Sequence, residues 1–507
     1  MFAAAVTLAL WPALIGPYLY YDDYQYVFKP NSDSSLGWTQ GISQGRPLSG
    51  LMWSAIPRLV QRVEDGWRLR VVFAAGLVAT ALAIDGWLRR CGLSAFHAGA
   101  ASVLIVTLPG CTAMASWLLC ALFSWSMWLA ALAAGVAGRV ILRPAGPPVA
   151  LGRATLRLAV VAALLLVALL IYQPTAMLYW PLMIGGIIAA ERTGVARVHW
   201  RGLLLAAFSG MAAVGLYWLV TRGLFQWTGV WQDPRGSLET DPVAKAAWLI
   251  GEVLPLALNL WNLLPTAGVT WGVAGVVASG FIIGWATRVR RRERWPAALR
   301  TEAALLLTAC AGPLLSFLPN LLANHRWAAY RMLVPMMALV VLLLLETLRA
   351  TLSLLPRRIA VPATASVMLV IAVLSVRTAR EALNVFVARP QRAELAFIRR
   401  ELAASSSAAE RILVVASGYK YSPTKIVRFD EFGWPSSSWT WNGRELVRAA
   451  ASQLGWDWRS LEIDAVEADA APESVPIGTL LLDLRRLTEL RHPTRPPPAL
   501  AENALGD

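Results

Sequence analysis

Residues 156–190 read LRLAVVAALLLVALLIYQPTAMLYWPLMIGGIIAA. Two apolar runs, 156–172 and 175–190, flank the tripeptide Tyr172-Gln173-Pro174, and Arg157 is the single charge in either. A helix needs about 20 such residues to cross roughly 30 Å of hydrocarbon. Proline interrupts helical hydrogen bonding, so Pro174 turns the chain between two membrane helices. The stretch reads as a helical hairpin in a bilayer.

The same kind of run recurs on both sides, at 3–20, 70–88, 98–114, 116–138, 203–222, 268–287, 303–320, 332–349 and 359–376. With the hairpin that makes about eleven spans. Across 507 residues, 57% are hydrophobic and 15% charged, with a mean hydropathy of +0.53. Soluble domains carry about 25% charge, so a cytosolic globular enzyme is excluded. The expected fold is an all-α polytopic membrane protein.

Lysine and arginine outnumber aspartate and glutamate by 46 to 31, a formal charge of +15. The excess sits in short loops between spans: Arg89–Arg90, Arg139 to Arg157, Arg192 to Arg201, Arg288 to Arg294 and Arg349 to Arg358. Basic loops of that kind are cytoplasmic anchors rather than a nucleic-acid surface. Placing the N-terminus inside puts all five on one side. No positively charged stretch precedes the first run, which reads as a retained span rather than a cleaved leader.

By the same parity residues 21–69, 223–267 and everything after about 377 are extracytoplasmic. Within the first, GLMWSAIPRLVQR (50–62) has the pattern of an amphipathic helix at the membrane surface. Residues 248–265 (WLIGEVLPLALNLWNLLP) are apolar enough to span, but Glu252, Pro255, Asn259 and Asn262 suit an interfacial or re-entrant helix better. From 377 to 491 the chain patterns like a small soluble α/β domain. RILVVA (411–416), KIVRFDEF (425–432) and TLLLDL (479–484) read as strands and GRELVRAAASQLG (443–455) as a helix. Residues 492–507 have the composition of a disordered tail. The transmembrane part is thus 1–376, with its large outer loop at 21–69.

The first span ends in PYLYYDDYQY (17–26), which places Asp22 and Asp23 just beyond the outer face among Tyr18, Tyr20, Tyr21, Tyr24 and Tyr26. Tyrosines at that depth are ordinary interface residues. Two adjacent carboxylates are not: they repel, and desolvation should raise at least one pKa. Such pairs serve a base, a cation or a partner arginine. In WTQGISQGRPLSG (38–50), Gly45-Arg46-Pro47 turns Arg46 to the same side, and a planar guanidinium suits a phosphate. The loop NHRWAAYR (324–331) adds His325, Arg326 and Arg331 there, against the positive-inside tendency. These are read as binding an anionic lipid head or pairing with acids. Gln173, at its outer turn, is placed to bond a hydroxyl-rich ligand.

The four cysteines, Cys91, Cys111, Cys120 and Cys310, form no CxxC pair and no zinc spacing with the four histidines. No metal site is expected from them.

This layout resembles the GT-C glycosyltransferases, which transfer sugar from a polyprenyl-phosphate carrier. More narrowly, YYDDYQY (20–26), QGRPLSG (44–50) and FDEFGWPSSSWTWNGRELV (429–447) are similar to the GtrII-type glucosyltransferases that modify bacterial surface polysaccharide. The resemblance implies that Asp22 and Asp23 form the catalytic acidic motif, without saying which is the base. It implies a polyprenyl-phosphate sugar donor, a cell-surface glycan such as O-antigen as acceptor, and an inner-membrane protein working on the periplasmic side. Arg46, His325, Arg326 and Arg331 are then candidates for the donor phosphate, and Tyr21, Tyr24 and Gln173 for sugar or acceptor. It gives Asp430 and Glu431 no catalytic part; they equally suit turn hydrogen bonds within the outer unit.

The chemistry agrees. Glycoside hydrolysis needs two carboxylates, one to protonate a poor leaving group. A lipid phosphate leaves unprotonated, so one general base and a cationic clamp suffice. A divalent ion bridging acids and phosphate fits that scheme, although no dedicated ligand set is visible. Two other readings compete. A transporter or flippase of lipid-linked sugar should carry ionisable groups at mid-membrane on broken helices. A non-catalytic envelope assembly protein would make the acidic pair inconsequential.

Overall fold

The computed structural model describes residues 1–29, 35–143, 151–195, 197–290, 294–405, 411–418, 431–433, 435–470 and 474–490. In chain order the helices are α1 Phe2–Ile15, α2 Asp23–Phe28, α3 Ser35–Ser43, α4 Pro47–Leu59, α5 Trp67–Arg90, α6 Ala95–Val106, α7 Pro109–Ser116 and α8 Phe123–Ile141. They continue as α9 Leu151–Ile171, α10 Gln173–Ala176, α11 Tyr179–Thr193, α12 Trp200–Thr228, α13 Pro242–Trp248, α14 Leu254–Asn259, α15 Ala267–Arg290 and α16 Trp295–Ser316. Last come α17 Leu318–Leu322, α18 Tyr330–Leu352, α19 Arg357–Leu383, α20 Arg389–Ala404 and α21 Thr440–Gln453.

Each of the eleven expected spans contains a helix. Among the described residues α5, α8, α9, α12, α15, α16, α18 and α19 are long and apolar enough to cross a membrane alone. The 98–114 span is broken: α6 and α7 meet at a 47° bend where Pro109 opens the second helix. The 3–20 and 175–190 spans shorten to 14 residues in α1 and 15 in α11. In the first case the helix stops before Gly16-Pro17. In the second, Tyr179 through Ala190 are all buried, so α11 is wrapped by protein and faces little lipid.

The bundle is centred on α18, whose buried face runs from Tyr330 to Ala350. Trp87 of α5 wedges between α8 and α11, with its indole N–H donating to Leu182 O at 2.8 Å. A Cβ at Gly138 or Gly186 would collide with that indole. The two glycines let the three helices close on the largest fully buried side chain.

Residues 248–265 stay off the set of spanning helices. A π-helical turn, Leu249–Val253, joins α13 to α14, and the chain breaks at Leu260 with φ 48°. Asn259, a liability in lipid, here ties the break to α15: its Nδ2 donates to Thr270 Oγ1 at 2.8 Å and its Oδ1 accepts from Thr266 N at 3.1 Å.

Five short strands complete the fold. β1 Leu142–Arg143 and β2 Arg197–Val198 pair antiparallel. β3 Arg411–Val415 lies between β4 Glu462–Val466 and β5 Thr479–Asp483, parallel to both, with α20 and α21 packed beside them. This is the small α/β unit expected after the last span. β4 was not foreseen, because EIDAV is short and carries two acids. Of KIVRFDEF, residues 425–430 lie outside the described residues, and Glu431–Gly433 is irregular. The tail from 492 also lies outside them. At 376–377 the helix does not break: α19 passes through the π-turn Asn384–Ala388 into α20.

The loops sort to two ends. At one, His199 N donates to Ile141 O at 2.9 Å, and Glu302 takes Arg192 at 2.7 Å and Arg288 at 2.9 Å. At the other, Gln453 Nε2 reaches Glu64 Oε1 at 2.6 Å and Asp233 N donates to Ser43 O at 3.0 Å. The stretches read as extracytoplasmic meet one another there.

Candidate active site

The exit from α1 builds the site. Arg70, 1% exposed, donates to Ala13 O at 3.1 Å, Gly16 O at 3.3 Å, Tyr18 O at 2.6 Å and Ser116 O at 3.3 Å. It also lies over the Tyr18 ring, 3.9 Å from the centroid. One buried guanidinium thus satisfies the carbonyls freed where α1 and α7 end. The chain then turns sharply at Tyr21, a non-glycine residue with φ 52°. Such a conformation costs about 1–2 kcal/mol and is held by Tyr21 N donating to Ser436 Oγ at 2.9 Å.

Past that turn Asp22 is the N-cap and Asp23 the first residue of α2. Their carboxylates part. Asp22 lines a cavity of about 940 Å³ at this end of the bundle. Asp23 is fully buried and accepts from Leu118 N at 3.0 Å, Leu119 N at 3.4 Å and Tyr20 N at 3.1 Å. Burial pushes its pKa up to about 7, against the opposing pull of those amides and of Arg70.

On another wall Arg46 precedes α4 after Gly45, whose φ of 69° makes the tight turn. Arg46 Nε donates to Gln173 Oε1 at 3.1 Å and its Nη1 to Gln44 Oε1 at 2.9 Å, with the guanidinium 4.7 Å from the Tyr172 ring centroid. Gln173 Nε2 in turn donates to Gly45 O at 2.9 Å and Tyr217 OH at 2.6 Å. Burial lowers the Arg46 pKa, with neighbouring Arg331 adding to the lowering. Arg331 stacks on Trp117 at 4.2 Å and Trp327 at 4.9 Å, and its Nε pairs with Glu431 Oε1 at 2.8 Å.

Of the residues proposed from sequence, Tyr21, Asp22, Arg46, Gln173, His325 and Arg331 line this one cavity. Three do not. Asp23 is turned into the core, and Tyr24 is buried at 0% exposure. Arg326 is turned to Glu239 at 3.4 Å, with its side chain 38% exposed. Tyr24 follows Asp23 onto the packed face of α2, and Glu239 offers Arg326 a nearer anion than the cavity does.

Sequence reading missed Tyr217, Arg222, Glu431, Trp439 and Trp441, all on the cavity wall. Trp441 meets Tyr21 edge-on at 5.8 Å, and Trp439 Nε1 donates to Tyr21 OH. The signal for the last three was the WPSSSWTW run beside DEFG, aromatic where a soluble strand-helix link is usually polar. Among the described residues no group of three or more His, Cys, Asp or Glu side chains is placed to hold a metal ion.

The cavity therefore presents the acidic residues Asp22, Asp233 and Glu431, the arginines Arg46, Arg222 and Arg331 and several aromatic faces at the end of an apolar bundle. No protein-family profile matches the chain, and no curated protein does. Among solved structures it is similar to ArnT from Cupriavidus metallidurans bound to undecaprenyl phosphate, at 14% identity over 91% of this chain and 88% of that one, with a TM-score of 0.41. It is also similar to the Archaeoglobus fulgidus oligosaccharyltransferase. In complex with zinc and sulfate the values are 12% identity, 89% and 61% coverage, and a TM-score of 0.39. With a tethered acceptor peptide containing the NVT sequon they are 13%, 89% and 63%, and 0.40. The chain spans less than two thirds of the oligosaccharyltransferase.

Proposed function

We propose that this protein is a membrane glycosyltransferase that moves a sugar from a polyprenyl-phosphate-linked donor to a glycan acceptor. The observation that carries the reading is that Asp22, Arg46 and Arg331 share one cavity at the end of a membrane-helix bundle. Asp22 takes the proton of an acceptor hydroxyl as that oxygen bonds to the anomeric carbon. The bond from the anomeric carbon to the phosphate oxygen breaks, and the polyprenyl phosphate departs with the electron pair. Arg46 and Arg331 stabilise the charge that grows on it. Direct displacement inverts the anomeric centre. Asp23, enclosed by backbone amides, has the structural part.

The finer reading is a GtrII-type enzyme of a bacterial inner membrane. It works on the periplasmic side and transfers a hexose, glucose by resemblance, to a surface glycan such as O-antigen in lipopolysaccharide. Residues 1–376 form its membrane part and 377–491 its outer domain. The direct experiment is sugar transfer by the purified protein from a polyprenyl-phosphate sugar, with Asp22→Asn as control. Transfer unaffected by that variant rules the mechanism out.

A flippase is the second reading. What disfavours it is that buried charges of the helices are satisfied by fixed protein groups, Arg192 by Glu302 and Arg70 by the carbonyls of Ala13 and Tyr18, while the cavity cations gather at the rim. Movement of intact lipid-linked sugar across vesicles without transfer would favour it instead.

A further inference from the structure

Glu431 is the one acidic side chain of the described C-terminal unit on the cavity wall. Its main chain is fixed from three directions. Tyr20 OH donates to Glu431 O at 2.6 Å, Gly433 N donates to Phe386 O at 2.9 Å, and Phe432 packs on Tyr330 at 5.7 Å. From that anchored backbone the carboxylate reaches Arg331 Nε at 2.8 Å, its side chain 4% exposed. Arg331 itself is held on Trp117 and Trp327, so its plane is set while its edge meets an anion, Glu431.

Carboxylate and phosphate both offer paired oxygens to a guanidinium, and phosphate offers more charge and more acceptors. Two anions on one edge repel. We propose that Glu431 is a resident counter-ion that keeps the place of the donor phosphate at Arg331 and is displaced when the donor binds. The proposal rests on the donor reading above. Exchange would set donor affinity and report donor occupancy to the segment that carries Ser436. Ser436, five residues on from Glu431, touches the neighbour of the base: its Oγ accepts from Tyr21 N, beside Asp22. The C-terminal unit is then part of the switch that admits the donor.

The test is binding of undecaprenyl phosphate to the full-length protein in detergent, for wild type, Glu431→Gln, Arg331→Ala and the double variant. Glu431→Gln is expected to bind more tightly, by about tenfold if Arg331 is free of its carboxylate a tenth of the time. In the Arg331→Ala background the same change is expected to have no effect. If Glu431→Gln does not fold, Glu431→Asp withdraws the carboxylate by one methylene and should shift affinity the same way. Wild type that binds while the Glu431 variants bind equally or more weakly overturns this proposal alone, since Glu431 then only orients Arg331. Wild type that does not bind overturns the donor reading and this proposal with it.

Discussion

Asp22 and Asp23 are neighbours in sequence, yet Asp22 faces the cavity while Asp23 closes on the backbone amides of Leu118 and Leu119. Successive residues of a helix project about 100° apart, and that turn carries Asp23 into the core while Asp22 stays on the cavity. The roles divide accordingly. Asp22→Asn is expected to lower sugar transfer by about 10²- to 10⁴-fold, the usual worth of a general base, with expression and melting unchanged. Transfer assays on purified membranes decide this. A fully active Asp22→Asn variant contradicts the assignment.

Asp23→Asn should act on stability instead, and in a pH-dependent way. The folded pKa of about 7 lies above the ordinary aspartate value, so between roughly pH 4 and 7 the native state holds a proton that the unfolded chain has lost. Its stabilising contribution is complete below the unfolded pKa and falls as pH rises to 7, by up to about 1.4 kcal/mol per unit. Melting midpoints of wild type should therefore decline across that window relative to Asp23→Asn, which has no proton to lose. Parallel curves for the two proteins would refute the linkage.

Arg46→Ala removes a guanidinium already oriented by Gln173 and Gln44. A charge-assisted hydrogen bond is worth about 1.5–3 kcal/mol, so the donor KM should rise roughly ten- to a hundredfold while the melting midpoint holds. Arg46→Lys should recover little, because a point charge cannot reproduce the fork. A donor titration showing unchanged KM for both variants would remove Arg46 from the phosphate site.

The apolar runs announced the bundle, and alternation at 411–416 and 479–484 announced two of the three outer strands, because both signals are local. The hairpin turn at Gln173 and the turn at Gly45-Arg46 were legible for the same reason. The division between Asp22 and Asp23 was not. It depends on amides about 95 positions away in sequence, and nothing near residue 23 encodes their arrival. Glu431 stayed unassigned until Arg331, 100 positions earlier, was seen against it. Arg326 read as a ligand because its loop is on the site's side, but Glu239 captures it. Charge was legible there, while direction was a tertiary property.

At the opposite end, Glu302 is the shared partner of Arg192 and Arg288 and is itself 3% exposed. Glu302→Ala leaves two buried guanidinium groups facing one another, a loss of about 3–5 kcal/mol for the broken pair. The melting midpoint should fall steeply, with undecaprenyl phosphate affinity unchanged in the protein that remains folded. A variant that melts like wild type would show that the pair contributes nothing net.

Sidedness has a sharp test because the contacts at each end leave few options. At the cavity end Gln453 meets Glu64 of the first outer loop and Glu431 meets Tyr20 beside it, while Ile141, Arg192, His199 and Glu302 meet at the other. Any one label therefore orients the rest. Ser460 is exposed on the C-terminal unit and Val195 at the opposite end. Of the native cysteines Cys91, Cys111 and Cys120 are buried, and exposed Cys310 is replaced by alanine. In that background Ser460→Cys should react with an impermeant maleimide in right-side-out vesicles and Val195→Cys only in inverted ones. The basic loops beside Val195 predict this from the positive-inside tendency. The reverse pattern would put Asp22 on the cytoplasmic side, where a surface glycan cannot reach it.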